Sequence, residues 1–142
     1  MPIKKNVKML VADAKNQTNS ISATEAYEMQ QAGTAKLIDI RDIRELQREG
    51  RIDGAFHAPR GMLEFWVDPD SPYFKPIFGQ ADTDYVFHCA SGWRSALTVA
   101  TLQDMGFAAS HLKDGFSDWV AQGGPVEQPQ TAPRPSPPTK AS

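Results

Sequence analysis

The sequence predicts an α/β fold of three layers, in which helices cover both faces of a central, mostly parallel sheet of about five strands. Two observations lead to this prediction. Short apolar runs with strand character alternate along the chain with helix-like segments, an order typical of parallel sheets. The 142 residues, 40% of them hydrophobic, are enough for one substantial core and too few for two full domains.

The first third of the chain is predicted to hold three helices and one strand. Apolar residues recur at positions 7, 10, 11 and 14, the spacing of one helical face, and predict a short docking helix. Ser22 and Glu25 have the spacing of a capping box, so we expect a helix from there to Gly33. Residues 36–40 indicate a strand, and the charged stretch after them predicts a helix that ends at Gly50.

The rest of the chain continues the alternation. Residues 52–59 indicate one short strand and residues 61–68 a helix, and three prolines then indicate a loop with one helical turn. Residues 83–89 form the most strand-like run of the chain, and they lead into a helix that ends near Gly106. A weak strand near residues 108–112 and a helix at FSDWVAQ complete the fold.

Composition divides the chain into three parts and limits its partners. We expect a lead-in with the docking helix at 1–19, one domain at 20–127, and a disordered, proline-rich tail at 128–142. A net charge of -2 argues against a nucleic-acid partner. The apolar runs are too short for a membrane span, and the first residues lack the apolar region of a signal peptide, so we expect a cytoplasmic protein without a membrane partner.

The only cysteine, Cys89, lies where a predicted strand ends and a helix begins. Backbone N–H groups at a helix start, together with the helix dipole, favour an anion, so the thiol pKa is expected to fall from about 8.5 toward or below neutrality. Gly92 permits a turn in which N–H groups converge, Arg94 adds a permanent positive charge, and Ser95 offers a hydroxyl donor. A buried cysteine without chemistry is the alternative, but Cys89 ends the apolar run and precedes polar residues.

Residues 89–95, CASGWRS, resemble the active-site loop of rhodanese-type sulfurtransferases, which has a cysteine, four residues and an arginine at the head of a helix. Two further segments, Asp39 to Pro59 and Gly115 to Val126, resemble the family's first and closing motifs in order and spacing. The match covers roughly residues 20–127. Arg51, Asp53 and Asp114 depart from residues common in the family.

The resemblance implies a rhodanese-like fold and a thiosulfate sulfurtransferase. A persulfide on Cys89 would carry sulfane sulfur from thiosulfate or a persulfide donor to cyanide or a thiol, including a thiol of a protein acceptor. We expect no cofactor, and the three histidines have no metal-ligand spacing, so we expect no metal either.

Two alternatives stay open. One is an arsenate reductase or phosphatase of a related fold, which the loop disfavours because such proteins have five residues between the cysteine and the arginine. The other is a sulfur-relay or binding module that works only with a dedicated protein partner.

The predicted site consists of the catalytic Cys89 with binding and supporting residues. The predicted substrate-binding residues are Ala90, Ser91, Gly92, Trp93, Arg94, Ser95 and Arg60. The predicted supporting residues are Asp39, Arg41 and Glu45, the first two as a structural ion pair near the loop. An exposed surface position is the alternative for Arg60, and simple packing against the loop is the alternative for Trp93.

We expect His88 to be a hydrogen-bonded core histidine, because adjacent strand residues point to opposite faces and His88 therefore points away from Cys89.

Overall fold

The computed structural model describes residues 3–129, in which helices and strands alternate as predicted. The helices are α1 Val7–Gln17, α2 Ala23–Gln31, α3 Ile43–Glu49, α4 Leu63–Val67, α5 Trp93–Asp104 and α6 Gly115–Ala121. The strands are β1 Ser20–Ile21, β2 Ala35–Asp39, β3 Arg51–Ile52, β4 Phe56–His57, β5 Asp84–His88, β6 Ser110–Leu112 and β7 Val126–Glu127. Two 3-10 turns, at Arg60–Met62 and Pro76–Gly79, occupy the regions where a helix and a single helical turn were predicted.

Five strands form one sheet in the order β1-β6-β5-β2-β4, and every neighbouring pair is parallel. Two apolar clusters pack on its two faces. One joins α4 and α5 to the sheet through side chains such as Leu63, Val99 and Phe87. The other joins α2 and α6 to the sheet through side chains such as Ala26 and Trp119. The predicted three-layer fold is confirmed.

The prediction of one strand over residues 52–59 is wrong. The chain forms two separate strands there, because Gly54 adopts a φ of +81° and turns the backbone between them. The first, β3, leaves the main sheet and pairs antiparallel with β7, whereas β4 joins the edge of the main sheet beside β2.

The predicted docking helix is present as α1, and it packs against α5. Only half of its apolar stripe is buried: Val11 and Ala14 are buried, while Val7 and Leu10 stay exposed.

No helix among residues 3–129 combines the length and the apolar character needed to cross a membrane. Most of the predicted tail, from residue 130 onward, lies outside the described residues, so the division of the chain into three parts stays a prediction.

The register of the sheet sets the position of the candidate site. Asp39 at the end of β2 lies directly beside His88 at the end of β5, and the two strands run in the same direction. Cys89 is the next residue after β5, so it lies at the carboxyl edge in the middle of the sheet. Ligands of open parallel sheets bind at this edge.

Candidate active site

The loop between β5 and α5 encloses the sulfur of Cys89. The Gly92 N–H donates to Sγ at 3.1 Å, and the Ser95 hydroxyl oxygen lies 3.7 Å from Sγ. Cys89 is only 1% exposed and belongs to the apolar cluster on the α5 face of the sheet. The sulfur therefore lies at the bottom of the loop, with donors converging on it.

The environment of Cys89 favours its thiolate. Burial is the largest single influence and raises the pKa of the thiol. The backbone N–H and hydroxyl of Ser95, with the N–H groups of Gly92 and Ser91, together outweigh burial and hold the pKa below its ordinary value. The thiolate is the nucleophilic form of cysteine, so this loop favours nucleophilic chemistry.

Helix α6 holds the loop in this conformation. The Phe116 N–H donates to the Cys89 carbonyl at 2.8 Å, and the Ser117 N–H donates to the Ala90 carbonyl at 3.0 Å. Gly115 makes this approach possible, since a Cβ there would lie 2.6 Å from the Ala90 carbonyl oxygen. Because α6 holds the Cys89 and Ala90 carbonyls, the loop keeps a conformation in which the N–H groups of Ser91 and Gly92 face Sγ.

Arg94 is tied to Glu45 by two parallel hydrogen bonds. Nη1 and Nη2 donate to Oε1 and Oε2 at 2.7 and 3.0 Å, and the side chains are 40% and 18% exposed. The Arg94 hydrogen bonds lower the pKa of Glu45, while Glu45, and more weakly the Cys89 thiolate, raise the pKa of Arg94. The sequence placed both residues at the site without showing that they pair, since no local signal connects positions so far apart.

Asp39 and Arg41 form a second ion pair, which is fully buried. Arg41 Nε and Nη2 donate to both carboxylate oxygens at 2.8 to 3.2 Å, and Nη2 also donates to the Gly50 carbonyl at 2.8 Å. The guanidinium lies 4.2 Å from the centre of the Phe116 ring. Burial alone would raise the pKa of Asp39, but the Arg41 hydrogen bonds and the charges of His88 and Arg41 hold it below its ordinary value.

The other predicted binding residues lie at different distances from the sulfur. Trp93, the first residue of α5, is 42% exposed at the end of the loop. Arg60 is exposed and borders a narrow crevice together with Glu64 and Thr98. Thr98 lies one helical turn after Arg94 on α5. The residues that line this crevice do not include Cys89 or its loop. Contact of Trp93 or Arg60 with a substrate stays a prediction.

His88 is a core residue, as predicted, but the expectation that it is hydrogen-bonded is wrong. Neither ring nitrogen has a hydrogen-bond partner among the described residues, and the side chain is fully buried. Burial, assisted by the charge of Arg41, lowers the pKa of His88 to about 4 against the opposing charge of Asp39. A neutral imidazole follows at pH 7. Within residues 3–129, no three His, Cys, Asp or Glu side chains cluster closely enough to hold a metal ion.

Comparison with protein families gives one match that spans most of the chain. The sequence model of the family described as "Rhodanese-like domain" matches residues 22–122. A Glaesserella parasuis protein named thiosulfate sulfurtransferase GlpE is 31% identical over 108 residues, which cover 75% of this chain and 91% of the relative. The mouse "Thiosulfate sulfurtransferase/rhodanese-like domain-containing protein 3" is 29% identical over 89 residues, which cover 59% of this chain and only 57% of the mouse protein.

Solved structures show the same fold. A Rhodopseudomonas palustris protein, described as of unknown function and as a possible tyrosine phosphatase, matches with a TM-score of 0.83 at 42% identity, over 89% of this chain and 98% of its own. A thiosulfate sulfurtransferase from Pseudomonas aeruginosa matches at 23% identity with a TM-score of 0.73, over 88% of this chain and 23% of its own, and shows the fold alone. Family match, sheet order and cysteine loop agree, and the chain belongs to the rhodanese-like domain family.

Proposed function

We propose that this protein is a sulfurtransferase that moves sulfane sulfur through a persulfide on Cys89. The observation that supports this most strongly is the loop geometry, in which N–H donors converge on a sulfur whose pKa is lowered. The names of the Glaesserella and mouse relatives support the same class of reaction.

In the first step the Cys89 thiolate attacks the outer sulfur of thiosulfate. A new S–S bond forms to Cys89, the old bond to the sulfonate sulfur breaks, and its electron pair leaves with sulfite. The product is a persulfide anion, Cys89–S–S⁻. The N–H groups of the loop stabilise this anion, as preorganised donors stabilise charge that develops during a reaction.

In the second step an acceptor nucleophile attacks the outer sulfur of the persulfide. The Cys89 thiolate leaves and is ready for another cycle, while cyanide becomes thiocyanate or a thiol becomes a persulfide. Cys89 is the only cysteine of the 142 residues, so the acceptor thiol comes from another molecule. A small thiol or a protein thiol both satisfy this requirement.

A phosphatase is the second candidate, because the Rhodopseudomonas relative is described as a possible tyrosine phosphatase. Two features of the loop argue against it. Only four residues separate Cys89 from Arg94, one fewer than in the phosphate-handling relatives of the fold. Glu45 also occupies both terminal nitrogens of Arg94, the fork that would otherwise hold a phosphate dianion.

Intact-protein mass spectrometry tests the proposal directly. Wild type and Cys89→Ser are incubated with excess thiosulfate, and we expect a gain of one sulfur, about 32 Da, on the wild type alone, which cyanide reverses. Circular dichroism of Cys89→Ser shows whether the fold is kept. No gain with thiosulfate or with a persulfide donor, together with hydrolysis of an aryl phosphate, would replace the proposal by the phosphatase.

The third possibility, a partner-dependent relay, gives a different result. A persulfide would then form on Cys89 from a persulfide donor but not from free thiosulfate. That outcome would contradict thiosulfate as the donor and keep Cys89 as the sulfur carrier.

A further inference from the structure

Helix α6 begins without a side-chain cap, since the carboxylate of Asp114 at its N-cap accepts no hydrogen bond from the helix. The N–H groups of a helix start have no partner within the helix and need other acceptors. Two of them, from Phe116 and Ser117, donate to the carbonyls of Cys89 and Ala90. The cysteine loop therefore takes the place of a cap, and the conformation of the loop depends on where α6 begins.

Phe116 is the first residue of α6 that has a side chain to bury, because Gly115 precedes it. Phe116 is 6% exposed and belongs to the apolar cluster that joins α2 and α6 to the sheet. Its ring faces the guanidinium of Arg41, which lies 4.2 Å from the ring centre. A cation is attracted to the face of an aromatic ring, and more strongly where water is excluded. The ring thus anchors the start of α6 on the edge of the sheet.

Arg41 is a rigid support for this ring. Its side chain is fully buried, and all three guanidinium nitrogens donate hydrogen bonds. Nε donates to Asp39, Nη1 to Glu49 and Nη2 to the Gly50 carbonyl. These acceptors lie in β2, in α3 and just before β3, so the place of the guanidinium is set by elements other than α6.

We propose that Phe116 is a positioning residue for the sulfur chemistry of Cys89. Its ring fixes the start of α6 against Arg41, and its N–H then holds the Cys89 carbonyl so that the loop donors converge on Sγ. The ring and Cys89 belong to the apolar clusters on opposite faces of the sheet, so the ring acts through the loop backbone and not on the sulfur itself. The inference rests on the proposed role of Cys89 as the nucleophile.

The pH profile of Cys89 alkylation by iodoacetamide tests this role in the full-length protein. Phe116→Leu keeps an apolar side chain but removes the ring, so the start of α6 should loosen and the loop donors should diverge from Sγ. We expect the pKa of the thiol to rise and the alkylation rate below that pKa to fall about threefold, the effect of weakening one hydrogen bond. Phe116→Tyr keeps the aromatic face and should restore the wild-type profile.

Phe107→Leu is the matched control, because it makes the same truncation in the other apolar cluster. Phe107 packs against Phe78 and Phe87. Its loss should lower the free energy of unfolding, measured in urea, and leave the pKa of Cys89 unchanged. A wild-type pKa in Phe116→Leu would overturn the proposal. An equal rise of the pKa in both leucine variants would also overturn it, since a general loosening of the core would then be the cause.

Hydrogen exchange in the wild type tests the same contact without a substitution. Phe116 is the second residue of α6, and exposed Thr24 is the second residue of α2. Because the Phe116 N–H is bonded to the Cys89 carbonyl, we expect its amide to be at least about tenfold more protected than that of Thr24. Equal protection would overturn the proposal, even if Phe116→Leu did not fold. None of these measurements involves sulfur transfer, so a wild type that accepts no sulfur would disprove the proposed function separately.

Discussion

Two arginine–carboxylate pairs lie near the carboxyl edge of the sheet, and they differ in their access to solvent. Arg41 and Asp39 are 0% exposed, and Arg41 also bonds to the Gly50 carbonyl. Arg94 and Glu45 are 40% and 18% exposed, and Arg94 lies at the end of the loop that holds Cys89.

This difference separates two uses of the same chemical pair. Inside the protein, a charge that loses its partner cannot be solvated, so the buried pair holds β2 and the start of β3 together. At the rim, water replaces a lost partner at little cost, so the exposed pair contributes little to stability. Within the rim pair, Arg94 is the member that places a positive charge close to the Cys89 sulfur. Breaking the buried pair should therefore lower the free energy of unfolding, whereas breaking the rim pair should mainly lower the rate of sulfur transfer.

The largest effect is expected from Arg41→Met. The substitution leaves Asp39 as a buried, unpaired carboxylate, and the free energy of unfolding should fall by about 3 to 5 kcal/mol. Urea unfolding followed by circular dichroism measures this change. Arg44→Met removes an arginine that pairs with Asp42 on the surface of α3, and its unfolding midpoint should stay close to wild type. Equal midpoints for the two variants would show that the buried pair is not structural.

The pH dependence of stability should come from His88, beside the buried pair. Its pKa is about 4 in the folded protein and near 6.5 when unfolded, so between these values the unfolded state binds more protons. Stability is then complete above pH 6.5 and falls as the pH drops toward 4. From pH 7 to pH 5 the free energy of unfolding should decrease by about 2 kcal/mol on account of His88.

Urea unfolding at the two pH values, in wild type and His88→Leu, checks this prediction. The variant should lose clearly less stability on acidification, since an apolar side chain has no proton to bind. It should also fold at pH 7, because an apolar group can replace an unpartnered buried one without penalty. The pKa of buried His111 is also lowered, so some pH dependence should remain. Identical losses in the two proteins would exclude His88 as the source.

At the rim, Arg94→Met should affect activity more than stability. The substitution removes the positive charge and the hydrogen-bond donor that Arg94 offers to the Cys89 sulfur. A hydrogen bond to a charged group is worth about 1.5 to 3 kcal/mol, so losing this one should lower kcat/KM for thiosulfate at least about tenfold. Steady-state sulfur transfer to cyanide gives this value, and Arg44→Met again serves as the control arginine. If Arg94→Met instead unfolds at the same low urea concentration as Arg41→Met, the distinction between the two pairs fails.

The sequence predicts the chemistry of this site better than its connections. The cysteine loop is readable because its parts lie within seven consecutive residues, where strand end, Gly92 and helix start have local signals. The Glu45–Arg94 pair has no such signal, since α3 has two glutamates, Glu45 and Glu49, and the sequence does not show which of them meets a distant arginine. The alternation of strand residues correctly turns His88 away from Cys89, but whether neighbours offer it a hydrogen bond depends on packing.

Short elements were missed for a related reason. β1 and β3 have two residues each, too few for an alternating pattern, and both depend on partners far along the chain.

The smallest expected effect belongs to Ser95→Ala, which removes one of the donors around the Cys89 sulfur. Burial raises the pKa of Cys89, and the hydroxyl and N–H groups lower it, so losing the hydroxyl should move the pKa upward. The move should be small, because the hydroxyl oxygen lies 3.7 Å from Sγ while the backbone donors remain. The rate of alkylation of Cys89 by iodoacetamide, measured as a function of pH, has its midpoint at the pKa of the thiol. Ser91→Ala, in the same loop with an exposed side chain, should leave that midpoint unchanged. An unchanged or lower Cys89 pKa in Ser95→Ala would mean that the backbone N–H groups alone stabilise the thiolate.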